Sequence, residues 1–265
     1  MNKKEIISKV KEKKEFSQIT DKDIEKVYLL FEKRQTSDEE KIKLIRKTLH
    51  ETFTSTLSQK LLNSNIVNKK SPEEILKKHI STKERFDYYE EFYSRILMNF
   101  ENQRVCIFDL GAGINGLSFK YLREINSKIS YIGIETVNQL VELINYYFKN
   151  KGFENARVIN ESLFNLDKII RYIKNPKENK IIFLFKVIDS LERIERNYSK
   201  KLIRKIFSCL NKNDKVIVSF AISSLVKNKK FKVKRYWFEN FLKQEKIQIV
   251  EDFILGNERY LVLKR

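Results

Sequence analysis

The chain has 265 residues, 42% of them hydrophobic, and a formal net charge of +19. The length suits one large domain, or a catalytic domain with a helical appendage, and the charge indicates a polyanionic partner such as nucleic acid. No uncharged apolar run approaches the roughly 20 residues that a membrane-spanning helix needs, which disfavours a membrane partner.

The first part of the chain, residues 1–100, is predicted to form an all-helical N-terminal domain. Apolar residues recur there at spacings of three and four, as a helix face requires. The Ser-Pro-Glu-Glu run at 71–74 has the composition of a helix start, with a capping serine and a proline in the first turn. We expect helices over Asp38–Leu62 and Glu84–Phe100, with a joint at Asn63–Lys70.

From Arg104 onward, short β-rich runs alternate with helical patterns. The predicted strands are Arg104–Asp109, Ser130–Glu135, Arg157–Asn160, Lys180–Lys186, Lys215–Ala221, Gln248–Ile254 and Arg259–Leu263. The predicted helices are Leu117–Ile125, Val137–Asn150, Leu163–Ile173, Glu192–Leu210 and Tyr236–Lys243. Alternation predicts a mostly parallel sheet, and the short last connection forces an antiparallel hairpin. Residues 101–265 are therefore predicted to be an α/β domain with the Rossmann-like seven-stranded sheet of S-adenosylmethionine (SAM) dependent methyltransferases.

A glycine-rich turn follows the first predicted strand. It reads Asp109-x-Gly111-x-Gly113, with a third glycine at Gly116. Glycines let the backbone turn tightly and approach a ligand closely, and the helix that follows supplies free amide donors. The run resembles both the dinucleotide-binding fingerprint and methyltransferase motif I, and the leading Asp109 is typical of SAM enzymes. We therefore predict SAM binding by Asp109, Gly111 and Gly113; the alternative is an ordinary glycine-rich turn.

The second predicted strand ends at Glu135, about 20 residues after the glycines, where a carboxylate can accept hydrogen bonds from both ribose hydroxyls. The alternative for Glu135 is a solvated acid at a strand end.

The fourth strand runs into Lys186-Val187-Ile188-Asp189, without the Asn/Asp-Pro-Pro-aromatic motif of enzymes that methylate exocyclic amines and without a cysteine nucleophile. An acceptor that needs no base, such as guanine N7, fits this sequence better.

The segment His79–Arg85 reads His-Ile-Ser-Thr-Lys-Glu-Arg and begins a helix, with Ser81 or Thr82 as the cap. It resembles the His-x-Ser-Thr-x-Glu-Arg segment of the aminoglycoside-resistance 16S rRNA (guanine-N7)-methyltransferases. Further segments resemble the same family in the same order: Glu90–Tyr93, Asp109–Asn115, Leu184–Lys186, Ser219–Phe220 with Ser224–Leu225, Trp237–Glu239 and Gly256–Glu258. The resemblance covers nearly the whole chain.

The resemblance implies a role for each matching residue. Arg85 would contact the SAM carboxylate, with His79 in the same cofactor-binding segment, and Asp109 and Gly111 would line the methionine pocket. Glu135 would hold the ribose, and Lys186 would lie beside the target base. The helical N-terminal domain would dock on the small ribosomal subunit.

The chain departs from the family at three positions near the expected site. Gly116 stands where the family usually has proline, and Ala221 and Ser223 replace the proline and the basic residue of the loop after the fifth strand. Two alternatives follow: methylation of another rRNA or tRNA position, or a ribosome-assembly factor that binds RNA and SAM with little turnover.

A basic segment follows the fifth strand, at the sheet edge where ligands bind in such folds. Its basic residues, interleaved with Phe231, suit an RNA backbone and an unstacked base; they are Lys227, Lys229, Lys230, Lys232, Lys234 and Arg235. A basic stripe is also predicted on one helix, at Arg193, Arg196, Lys200 and Arg204. The alternatives are a charged surface loop and a solvated helix face.

Cysteine and histidine usage disfavours a metal site. Cys106 and Cys209 lie in apolar contexts without paired metal spacing, and the chain has only two histidines. Reduced thiols and the lack of a signal-peptide-like stretch predict a cytoplasmic protein, which we expect to be a monomer.

Replacing Lys229, Lys230, Lys232 and Lys234 together by uncharged residues should weaken binding to small ribosomal subunits. It should also flatten the salt dependence of that binding, because each phosphate contact releases counterions. SAM affinity should not change, because the expected cofactor residues lie in other segments; titrations over a range of salt concentrations measure both. Intact subunit binding with lost SAM binding would instead make the segment a cofactor lid.

Overall fold

The computed structural model describes residues 1–54, 70–79, 82–222 and 235–265. The described helices of the N-terminal part are α1 (Lys3–Lys11), α2 (Asp21–Leu29), α3 (Asp38–Leu49), α4 (Pro72–Lys78), α5 (Lys83–Phe86) and α6 (Tyr89–Leu97). A π-helical turn, His50–Thr54, continues α3. The predicted joint at Asn63–Lys70 lies almost wholly outside the described residues.

The start of α4 is as predicted. The Ser71 hydroxyl accepts the Glu74 amide at 3.2 Å, and Pro72 occupies the first helical position. The predicted continuous helix Glu84–Phe100 is wrong, because α5 ends at Phe86 and α6 begins at Tyr89. The break separates two tasks: α5 carries Arg85 into a buried polar network, whereas α6 buries an aromatic face.

The predicted seven-stranded sheet is confirmed, in the order β3-β2-β1-β4-β5-β7-β6. Its strands are β1 (Val105–Leu110), β2 (Ile129–Glu135), β3 (Ala156–Asn160), β4 (Asn179–Phe185), β5 (Lys215–Ala221), β6 (Gln248–Leu255) and β7 (Glu258–Lys264). β1 to β5 pair in parallel, and β7 is antiparallel to both β5 and β6. Gly256 closes the predicted hairpin with a φ of +58°. The parallel strands therefore end at one edge of the sheet, where Asp109, Glu135 and Lys186 lie at or next to the ends of β1, β2 and β4.

The helices after β1 are α7 (Phe119–Ile125), α8 (Asn138–Asn150), α9 (Leu166–Lys174), α10 (Ile188–Ile194), α11 (Tyr198–Phe207) and α12 (Tyr236–Gln244). A 3-10 turn, Asn115–Ser118, precedes α7. A Cβ at Gly116 in this turn would lie 2.7 Å from Ile144 Cγ2, so the third glycine of the motif lets the turn pack against α8.

The predicted single helix Glu192–Leu210 is wrong, since it is divided into α10 and α11. Asn197 has a φ of +65° between them, and the Glu192 carboxylate accepts the amides of Asn197 at 2.7 Å and Ser199 at 3.0 Å. A side chain from the first helix thus caps the second. The break also divides the predicted basic stripe: Arg193 on α10 pairs with Glu51 at 3.1 Å, whereas Lys200 and Arg204 on α11 lie over the α12 rings of Trp237 and Phe241.

One hydrophobic cluster extends from α1 to β7, so the N-terminal helices and the sheet share a core. Aromatic residues dominate the contact of α6 with the sheet, where the ring centroids of Phe92 and Tyr260 are 4.6 Å apart and Tyr93 stacks on Phe183. Cys106 is a free, buried thiol and Cys209 is a free, half-buried one. Within the described ranges, no helix is both long and apolar enough to cross a membrane.

Candidate active site

A cavity of about 290 Å³ lies at the carboxyl edge of the parallel strands. Its walls include the Gly111–Gly113 turn after β1, the acids Asp109 and Glu135, and apolar side chains such as Leu163. The N-terminal helices also contribute, because Asp23, Glu51, Phe53, His79 and Arg85 line the same space. All six residues that the sequence predicted for cofactor binding, and Lys186, therefore border one cavity.

Asp109 is the penultimate residue of β1 and is 1% exposed. Its Oδ2 accepts hydrogen bonds from Asn115 Nδ2 and from the Tyr131 hydroxyl, each at 2.7 Å. Burial raises the pKa of Asp109 to about 6, against the opposing effect of these two donors. Asp109 is thus a buried acceptor at the wall of the cavity.

Glu135 holds the turn after β2 and the turn after β1 together. Its Oε1 accepts the Val137 amide at 2.9 Å, and its Oε2 accepts the Gly113 amide at 2.8 Å. Each carboxylate oxygen has a second lone-pair site, which suits the two hydroxyls of a ribose. Burial raises the pKa of Glu135 to about 7, although the amide donors oppose this shift.

Gly111 has a φ of +78°, and a Cβ there would lie 2.7 Å from Val187 Cγ2. Both facts require glycine, because other residues rarely adopt this conformation and would meet the wall opposite. Gly113 also has a positive φ, of +52°, but a Cβ there would meet nothing within 4 Å. Gly111 therefore lets the two walls of the cavity approach each other, whereas Gly113 is required by its turn.

Arg85 lines the cavity within a buried polar network. Its Nη2 contacts the Glu258 carboxylate at 2.7 and 3.0 Å, its Nε donates to the Tyr260 hydroxyl at 3.0 Å, and its Nη1 donates to Asn115 Oδ1 at 3.0 Å. The guanidinium also stacks over Phe185, 4.4 Å from the ring centroid. Burial lowers the pKa of Arg85, but the nearby Glu258 carboxylate outweighs it and holds the pKa well above its ordinary value. Nη1 carries two hydrogens, so the fork can also bind an acceptor in the cavity.

Lys186 follows β4 with a φ of +58°, in the left-handed region that residues with a Cβ rarely adopt. Its amide donates to the Ser219 hydroxyl and carbonyl oxygens, both at 3.1 Å. Its ammonium lies between two carboxylates, 3.1 Å from Glu84 and 3.4 Å from Glu258. The side chain is 19% exposed, so this fixed cation can be reached from the cavity.

His79 lines the cavity and is 2% exposed. Burial lowers its pKa to about 4, so the ring is neutral at pH 7 and does not add charge to the pocket. Thr82, rather than capping α5, donates its hydroxyl to the Leu76 carbonyl at 2.7 Å and thereby joins the start of α5 to α4. Ser81, the other predicted cap, lies outside the described residues.

The predicted RNA-binding lysines Lys227, Lys229, Lys230, Lys232 and Lys234 lie outside the described residues, as does Ser223. Arg235 is described, and its guanidinium pairs with Asp189 and lies over the Phe220 ring. This pairing anchors the start of α12 beside the residues that follow β4.

Four polar residues of the site were not predicted from the sequence to be functional: Asp23, Glu84, Asn115 and Glu258. Asn115 bridges Asp109 to Arg85, and Glu258 joins Arg85 to Lys186. Glu84, Asn115 and Glu258 lie within segments that resemble the family, and this resemblance could have identified them as site residues. Asp23 has no such signal, because in sequence it looks like an acid in the first turn of a helix.

The cavity fits SAM in chemistry as well as in place. Glu135 offers carboxylate oxygens to the cavity, Arg85 offers a guanidinium, and apolar side chains such as Leu163 form part of the walls. A nucleoside diol binds to carboxylate oxygens, and an amino-acid carboxylate binds to a guanidinium, in a site that is otherwise largely apolar. The seven-stranded sheet and this cavity define the class as the SAM-dependent methyltransferases.

The family model for ribosomal RNA methyltransferase (FmrO) matches residues 66–246, more than half of the chain. The chain therefore belongs to the FmrO family of ribosomal RNA methyltransferases. A curated relative, the 16S rRNA (guanine(1405)-N(7))-methyltransferase of Proteus mirabilis, is 26% identical over 196 residues, which are 72% of this chain. The match spans 64% of that relative's length.

Two solved structures show the same fold over the whole chain. The 16S rRNA methylase RmtB superposes with a TM-score of 0.77 at 19% identity, covering 100% of this chain and 99% of that one. The 16S rRNA methyltransferase RmtF, solved with S-adenosyl-L-homocysteine (SAH), gives 0.76 at 16% identity with the same coverage. The predicted helical part and seven-stranded sheet thus occur together in these proteins.

SAH affinity should increase as the pH rises from about 6 to about 8, because ribose hydroxyls bind best to an ionised Glu135 whose pKa is about 7 in the free protein. Calorimetry at several pH values measures this dependence. Glu135→Gln should bind SAH more weakly and with a flatter pH profile, whereas Glu142→Gln, at an exposed position on α8, should behave as the parent does. A flat profile in the parent would contradict the role of Glu135.

Proposed function

We propose that the protein transfers the methyl group of SAM to N7 of a guanine in the decoding region of 16S rRNA. The observation that carries this proposal is the position of Lys186, a cation fixed between Glu84 and Glu258 at the edge of the cofactor cavity. Enzymes that methylate exocyclic amines or pyrimidine carbons carry other groups at this place. The reaction in the name of the Proteus relative agrees with the proposal.

Guanine N7 needs little chemical help from the protein. The atom has a free lone pair and loses no proton on methylation, so the site requires no general base. SAM, when bound, supplies a methyl group on a positively charged sulfur. The residues of the chain then have to bind both partners, align them and exclude water.

Each polar group of the cavity has a task under this proposal. Arg85 and Asp109 bind the amino-acid end of the cofactor, and Glu135 binds its ribose. Guanine presents O6 beside N7, both as acceptors, so the Lys186 ammonium can donate to O6 and orient the base. Glu84 and Glu258 keep that ammonium in place, and their charges offset the positive charge that N7 methylation leaves on the base.

The RNA partner is proposed to contact two regions of the chain. The helical region 1–100 would act as the domain that docks on the small ribosomal subunit, and the basic segment 227–235 would grip phosphates near the target base. The net charge of +19 favours such contacts through counterion release. We expect the remainder, residues 101–265, to act as the methyltransferase domain of a cytoplasmic monomer.

Incubation with SAM and unmodified 30S subunits, followed by mass mapping of the rRNA, tests the proposal. We expect one added methyl group on a 16S rRNA guanine. Lys186→Ala should lower the rate roughly 10- to 100-fold with little change in SAH affinity, because it removes one charge-assisted contact to the base. Lys212→Ala, an exposed lysine at the opposite edge of the sheet, is the matched control.

Two outcomes would contradict the proposal. Methylation of another nucleotide or of tRNA would show a different substrate position, and SAH binding without turnover would indicate an RNA-binding assembly factor. Resistance of an expressing strain to aminoglycosides would support a guanine in the decoding region.

A further inference from the structure

The segment before α2 is joined to the turn that carries Glu135. The Asn138 amide donates to the Gln18 carbonyl at 3.0 Å, and Ile19 forms an antiparallel bridge with Val137. The Thr20 amide contacts the Thr136 hydroxyl oxygen at 3.3 Å. Residues 18–20 therefore run beside residues 136–138 as a short added strand would.

Asp23 extends this contact into the cofactor cavity. It is 2% exposed and lines the same cavity as Glu135. The Thr136 hydroxyl donates to its Oδ2 at 2.6 Å, and the Thr20 hydroxyl donates to the same oxygen. A buried carboxylate is costly unless it is hydrogen-bonded, and here both hydroxyls are arranged around it.

Thr136 stands between the two groups that define the ribose end of the cavity. Glu135 precedes it, and the Val137 amide that follows it donates to Glu135 at 2.9 Å. A shift of Thr136 would move both the carboxylate and its donor. The hydrogen bond from the Thr136 hydroxyl ties this turn to Asp23 on the N-terminal helix α2.

We propose that Asp23 and Thr136 form a positioning pair through which the N-terminal helices set the orientation of the ribose-binding acid Glu135. The N-terminal layer is then part of the cofactor site as well as a docking surface. The pair acts through Glu135 and need not touch the cofactor. The inference rests on the proposed function, because it requires a nucleoside cofactor in this cavity.

An ordinary structural role makes a different prediction. Asp23 lies in the first turn of α2, where an acid stabilises the helix start. In that case its loss would lower stability, and any effect on ligand binding would not depend on Glu135. A double-mutant cycle between Thr136 and Glu135 therefore separates the two roles.

The test is calorimetric titration of the full chain with SAH. Thr136→Val, which keeps the shape and removes the hydroxyl, should weaken SAH binding about 5- to 10-fold, as should Asp23→Asn. Thr136→Ser retains the hydroxyl and should bind as the parent does. In a Glu135→Gln background, Thr136→Val should change the affinity less than twofold, since the acid that the pair orients is gone.

Asp21→Asn is the matched control, because Asp21 lies in the same helical turn, 74% exposed, and pairs only with Lys11 in the described contacts. It should leave SAH affinity unchanged. Equal losses of affinity for Thr136→Val with and without Glu135, or no loss at all, would overturn the positioning role while the parent still binds SAH. A parent that does not bind SAH would overturn the proposed function itself.

Discussion

Arg85 and Glu258, both almost fully removed from water, join helix α5 to the first residue of β7. Two buried charges are expensive to desolvate, and removing one partner of such a pair typically costs about 3–5 kcal/mol. Each member of the pair has further partners, namely Tyr260 and Asn115 for Arg85, and Ser219 and Lys186 for Glu258. It connects the helical part of the chain, the terminal hairpin and the carboxyl edge of the sheet at one point.

The other polar groups of the cavity follow from this pair. Asn115 is hydrogen-bonded to both Arg85 and Asp109. Lys186 pairs with both Glu258 and Glu84, so a continuous set of hydrogen bonds and ion pairs runs beside the cavity. A hydrophobic side chain would fill this space at a lower desolvation cost. Charged groups kept at this cost beside a cavity are typical of a functional site.

The sequence predicted the sheet well and the site in part. β5 has the predicted bounds, Lys215–Ala221, and a polar run at 211–214 precedes it. The break at Asn197 was missed because it depends on a cap from Glu192, and helical periodicity alone does not show such a cap. Glu258, which pairs with Arg85, lies 173 residues away, and Thr136, which bonds to Asp23, lies 113 residues away, so local patterns could not reveal these two contacts. Family motifs located Arg85, but only the fold shows that Glu258 pairs with both Arg85 and Lys186.

We propose that Arg85 is held buried in order to bind the carboxylate of the cofactor. The most direct measurement compares the affinities of Arg85→Lys for SAH and for 5′-methylthioadenosine, which lacks the amino-acid end. Lysine keeps the charge but not the planar fork, so SAH binding should weaken roughly 10- to 100-fold while 5′-methylthioadenosine binding stays as in the parent. Equal weakening for both ligands, or none for either, would contradict the claim and leave the buried pair as a purely structural contact.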